Sequence, residues 1–109
     1  MDLFTEELRK KLPFLHATVY DPDPLVICKF FWSEPDFHLA LYAIESDRGN
    51  IFFGLLDGQV PDYGYFSLSE LKETGYWGIP VQLDRDFTPC RLSELRAKLG
   101  HRGKLRLLR

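Results

Sequence analysis

The residues able to do chemistry are few and scattered along a chain of 109 residues. Three histidines (His16, His38, His101) and two cysteines (Cys28, Cys90) form no Cys-x-x-Cys or His-x-x-x-His pattern, so the ligand spacing of a metal site is missing and no cofactor is expected. Cys28, inside Leu25-Val26-Ile27-Cys28, reads as a small buried hydrophobe. A Cys–His nucleophile pair is assembled in space rather than in sequence, which leaves that arrangement open, but neither cysteine carries the flanking signature of a cysteine enzyme. Asp84 and Asp86 flank Arg85. In an extended stretch both carboxylates share one face about 7 Å apart, a spacing open to general acid/base work in a small hydrolase or nuclease. A solvated strand edge explains the same pattern. No glycine-rich phosphate cradle occurs.

Aromatic and acidic residues concentrate in one region. Tyr63, Tyr65, Tyr76 and Trp77 surround a short helix, and Tyr and Trp are favoured interface anchors. With Asp57, Asp62, Glu73, Asp84 and Asp86 as carboxylates around them, these residues are the candidates for a protein-docking surface; closure of one end of the core is the alternative use. The local charge repels a phosphate backbone. Residues 1–90 hold 7 Lys/Arg against 15 Asp/Glu, a balance of −8, and residues 91–109 hold 7 Lys/Arg against Glu94 alone, a balance of +6. Nucleic-acid contact therefore falls to the basic end, where Arg102, Lys104, Arg106 and Arg109 are the candidates.

The elements that must position these residues follow from spacing. Thr5 caps a short helix through Leu12, with Glu6 and Glu7 in the first turn, Arg9, Lys10 and Lys11 in the last, and Pro13 as its stop. Strands are expected at His16–Tyr20, Leu25–Trp32, His38–Glu45 and Asn50–Leu56, the third placing Leu39, Leu41 and Ala43 on one face and Ala40, Tyr42 and Ile44 on the other. Ser67 followed by Glu70 forms a capping box for a helix over 68–74. A short extended stretch follows Pro80, and a last helix spans Leu92 to Leu99. Connections this short suit hairpins. The fold class is α+β: an antiparallel meander of four to five strands with two to three short helices packed on it.

A 45% hydrophobic composition with 9 Phe, 5 Tyr and 2 Trp supplies one core and excludes a wholly disordered chain. Residues 1–100 are read as a single domain and 101–109 as a basic extension. No apolar run reaches the roughly 18 residues of a spanning helix, and Met1–Glu7 is acidic where a signal peptide is basic. The chain is read as cytoplasmic.

The linked blocks Lys11-Leu12-Pro13, Lys29-Phe30-Phe31, Phe52-Phe53-Gly54, Leu55-Leu56-Asp57-Gly58 and Gly64-Tyr65-Phe66-Ser67-Leu68-Ser69-Glu70-Leu71 resemble one family. The likeness continues through Gly78-Ile79-Pro80-Val81, Asp84-Arg85-Asp86-Phe87 and Leu92-Ser93-Glu94-Leu95. The family is the bacterial one catalogued as domain of unknown function twenty-nine fifty-eight. The resemblance covers about residues 8 to 96; a reduced loop at Ser46–Asn50 and the basic end depart from the pattern. It implies an accessory protein of plasmids and integrated elements, and it transfers no catalytic residue. The expectation is a non-enzymatic mobile-element protein that binds a host protein, in its sharper form a counter-defence inhibitor (anti-CRISPR or anti-restriction) of a nuclease or effector subunit. The alternatives are hydrolase or nuclease chemistry at Asp84 and Asp86, and DNA binding through the basic C-terminal segment.

Overall fold

The computed structural model describes residues 4–34, 37–58, 62–70 and 81–99. In chain order the strands are β1 (Leu25–Val26), β2 (Cys28–Glu34), β3 (Phe37–Ser46), β4 (Ile51–Asp57), β5 (Asp62–Ser67), β6 (Val81–Leu83) and β7 (Cys90–Arg91). The helices are α1 (Glu6–Lys11), α2, which opens at residues 68–70, and α3 (Leu92–Leu99). Five strands form an antiparallel sheet in the order β5-β4-β3-β2-β6, and β1 pairs with β7 in a second, small antiparallel sheet. The arrangement is the expected α+β meander with two additions: β6 closes one edge, and β1–β7 forms a separate ribbon.

Period-two alternation sends side chains to two cores, one on each face of the large sheet. Phe30, Trp32, Leu39, Leu41 and Ala43 join Phe4, Leu12 and Leu68 in the first cluster. Ala40, Tyr42, Ile44 and Leu55 join Val26, Cys90, Leu92 and Leu95 in the second. The division of β3 matches the faces assigned from its sequence. Around Val26 the alternation breaks: Val26 faces the second cluster, while Ile27 and Cys28 both face the first. The expected single strand Leu25–Trp32 therefore splits at Ile27, leaving β1 to pair with β7 and β2 with β3 and β6.

The helix ends form largely as their sequences dictate. The Thr5 hydroxyl accepts the Leu8 amide at 3.2 Å, and the Ser67 hydroxyl accepts the Glu70 amide at 3.1 Å. At α3 the capping group comes from far away: Asp23 accepts the Ser93 amide at 2.8 Å and the Ser93 hydroxyl at 2.6 Å across 70 residues. In the β3–β4 turn a single carboxylate oxygen, Asp47 Oδ1, accepts the amides of Gly49, Asn50 and Ile51 at 2.8–2.9 Å. That turn also gathers α1 and α2. Arg9 donates to the Arg48 carbonyl, Arg48 Nε donates to the Leu12 carbonyl at 3.0 Å, and the Ser69 amide donates to Asn50 at 3.0 Å.

The expected strand His16–Tyr20 does not form. Residues 15–20 run through consecutive turns, with amide-to-carbonyl bonds Ala17 to Phe14, Val19 to His16 and Asp21 to Thr18. His16 adopts φ 70°, a left-handed conformation incompatible with an extended strand. The cause lies in β3, where the pairing slips between Ala43 and Glu45 and makes Ile44 an extra residue. After the slip Glu45 sits opposite Phe53. Its carboxylate, fully buried, accepts the His16 amide at 2.7 Å, the Thr18 amide at 2.8 Å and the Thr18 hydroxyl. Backbone groups that would have entered a ladder are bound instead to a side chain.

Replacing Glu45 by Gln turns one acceptor oxygen toward a donor nitrogen and strands a buried amide. We expect Glu45→Gln to lose roughly 2 kcal/mol of stability in urea denaturation, with new proteolytic cleavage near Tyr20 in the native state. A second expectation concerns acid. Hydrogen bonds from Ser93 hold the Asp23 carboxyl below its usual range, and those from the Ile51, Gly49 and Asn50 amides do the same for Asp47. Their contribution is fully present above the unfolded carboxyl value of about 3.9 and fades as pH falls through the lower folded values. Urea melts at about pH 5 and pH 3 should show a loss that Asp23→Asn with Asp47→Asn reduces; an unchanged loss would refute the assignment.

Candidate functional site

The catalytic candidates meet geometry that opposes them. The strand β6 ends at Leu83, and residues 85–86 form a turn rather than the extended stretch that would place Asp84 and Asp86 on one face. Asp84 Oδ1 accepts the Asp86 amide at 2.9 Å, and Oδ2 lies 3.9 Å from Lys29 Nζ. Lys29 is itself fixed over the Tyr42 ring at 5.5 Å and the Phe31 ring at 5.8 Å. Asp84 thus closes a turn and meets a lysine. A hollow of about 260 Å³ between α1 and residues 83–89 contains Glu7, Cys28 and Asp84, but neither Asp86 nor any histidine. Cys28 is buried, and burial pushes its thiol up to about 12; burial also raises Cys90. Among the described residues no group of three or more His, Cys, Asp or Glu could hold a metal ion.

The docking candidates are only partly brought together. Asp62, Tyr63 and Tyr65 lie on β5, the first strand in the sheet order. Asp84 follows β6 at the far side, and the row Leu83–Phe30–Leu41–Leu56–Asp62 spans four strand spacings. At about 4.8 Å per spacing the two acidic groups are roughly 19 Å apart. Asp57 is fully buried and is removed from the candidate surface, because its strand position opposite Ala40 turns it into the second core face. Burial raises the Tyr63 hydroxyl, with Arg96 acting in the opposite direction. Glu73, Tyr76, Trp77, Arg102, Lys104, Arg106 and Arg109 lie outside the described residues.

Tyr65 instead meets the turn segment, whose surroundings carry further exposed apolar side chains. The Tyr65 ring lies 6.1 Å from His16 and 5.0 Å from Phe53, so β5 touches the turn segment held by Glu45. That segment carries Phe14, Val19 and Tyr20 at 56%, 41% and 97% exposure, and Tyr65 is 54% exposed. Among the described residues these are four of the five large apolar side chains left in water, the other being Leu25. Arg48 stands 4.1 Å over the Phe14 ring and fixes its direction. Reading residues 16–20 as a strand concealed this cluster. The signal that exposes these side chains is Glu45, a carboxylate directly after the apolar run Leu39–Ile44, which needs donors from elsewhere once buried.

The thiols offer a direct check on the chemistry. Neither Cys28 nor Cys90 should react appreciably with a disulfide reagent in the folded state near pH 8, and both should react at once in denaturant. Rapid native-state labelling of Cys28 would restore a nucleophile to the hollow.

No helix among the described residues is long and apolar enough to cross a membrane. No curated protein and no solved structure matches the chain significantly. The family described as Protein of unknown function (DUF2958) matches residues 3–105, and the chain belongs to that family.

Proposed function

We propose that this chain is a non-catalytic protein-binding module, an accessory protein of a mobile genetic element that docks on a host protein. The observation that carries the reading is the set of exposed side chains Phe14, Val19 and Tyr20, on or beside a turn segment whose His16 and Thr18 are held by a fully buried carboxylate, together with Tyr65 of β5, which that segment touches through His16. Large aromatic side chains left in water and held in one geometry lose little entropy on binding, which is what an interface anchor requires. Enzyme chemistry at Asp84 and Asp86 has no comparable support, because the turn and Lys29 already engage Asp84.

In its sharper form the role is counter-defence, with a restriction nuclease or CRISPR effector subunit as partner. The balance of −8 over residues 1–90 suits a target whose channel carries positive charge for nucleic acid. The test is DNA cleavage by purified effectors of both classes, titrated with this chain at low and high salt. Inhibition should weaken with salt, and Tyr20→Ala with Tyr65→Ala should raise the inhibitory concentration at least about tenfold while leaving thermal stability nearly unchanged. Inhibition indifferent to both aromatic changes and to salt would sink the reading, as would its absence across the panel.

A further inference from the structure

Among the described residues, the face of β5 opposite Tyr65 carries a groove. In register, Cys28, Ala43, Gly54 and Gly64 form one row across four strands. The flanking rows hold Leu41 and Leu56 on one side, and Phe52 and Phe66 on the other. At the β5 end the space is about 210 Å³, lined by Leu41, Leu56 and Phe66, by the two glycines, and by Asp62, Tyr63 and Tyr65.

The two glycines differ in what requires them. A Cβ on Gly54 would lie 1.9 Å from the Tyr42 carbonyl oxygen, so the approach of β4 to the bulged strand excludes any side chain there. At Gly64 nothing among the described residues lies within 4 Å of an added Cβ. Its backbone is also outside the left-handed region that would demand glycine. A glycine inside a strand weakens it, and with no steric reason for it among the described residues Gly64 marks a place where a neighbour can come close.

We infer that this groove receives one large apolar side chain from a partner protein segment flanked by Lys or Arg. The apolar walls select the side chain, and the Asp62 carboxylate, set in a body with a balance of −8 over residues 1–90, selects the basic flanks. The inference rests on the protein-binding reading and adds a second contact, on the other side of β5 from Tyr65.

The probes are fluorescein-labelled heptapeptides with a central leucine or asparagine between lysines, and a leucine version between glutamates. The lysine-flanked leucine peptide should bind, shift the amide resonances of Leu56, Gly64 and Phe66, and bind Gly64→Val at least about tenfold more weakly. Gly64→Val should melt no lower than the parent, and Gly64→Ala, which fills less, should fall between the two in affinity. Asp62→Asn should reduce both affinity and its salt dependence; Tyr20→Ala, which lies outside the groove, should leave peptide binding within about twofold. Absence of binding, equal binding of the asparagine or glutamate peptides, or equal binding to both Gly64 variants would overturn the groove. If Tyr65→Ala abolishes effector inhibition while no peptide binds, the groove fails and the protein-binding reading stands; if neither effector nor peptide is bound, both fall.

Discussion

A carboxylate at 0% exposure must be answered by donors, and in this molecule the answer organises the surface. The extra residue Ile44 shifts the register of β3, and that shift places Glu45 opposite Phe53, on the face where residues 15–20 cross the sheet. Two backbone amides and a hydroxyl then converge on one side chain. Beside the bulge the Tyr42 carbonyl lies so close to β4 that only glycine fits at position 54. Glu45 and Gly54 thus flank one irregularity. A buried charge is weak grounds for added stability, since desolvation consumes most of its attraction. Its effect here is on geometry: it fixes His16 and Thr18 of the turn segment against the end of β3.

What could be read from residues alone divides along the range of the interactions. Thr5, Ser67 and the acidic-to-basic order of α1 act within one helical turn, and each is found as its spacing implies. The alternation of Leu39 through Ile44 likewise reports its two faces, because period two is a local property. The failures come from partners distant in sequence. Nothing beside Ser93 announces that Asp23 will cap its helix, and nothing in His16–Tyr20 announces that Glu45 will take its amides. Val and Tyr favour strands only where ladder partners exist. Asp84 and Asp86 fail for a local reason that the sequence did contain: an aspartate two residues before an amide readily closes a turn on itself.

The β3–β4 connection shows how a tight turn can do more than join strands. Asp47 satisfies three amides, Ser46 accepts from Arg48 and donates to Ile51, and Arg48 enters the left-handed region at φ 65°. So constrained, the turn offers its carbonyls to Arg9 and its Asn50 side chain to Ser69. Both helices on the first core face are therefore registered against the same five residues. Phe14 is fixed by this turn through Arg48, and Thr18 by Glu45 just before it. The exposed aromatic segment is held at two points by neighbouring parts of one strand end.

Charge acts differently from the aromatic anchors. An acidic rim would need its carboxylates within a Debye length of one another, about 8 Å at physiological salt. The separation between Asp62 and Asp84 is more than twice that, and Asp57 is inside the protein. On the protein-binding reading, the acidic balance of residues 1–90 would act as a diffuse field that raises the rate of encounter with a basic partner. Residence time must come from groups that exclude water on contact, and on the described surface those are Tyr65, Tyr20 and Phe14, with the groove beneath β5 on the opposite side. Because β5 is the first strand in the sheet order among the described residues, a partner that took its edge would reach both faces at once. A flat patch in the middle of the sheet would permit only one of these contacts.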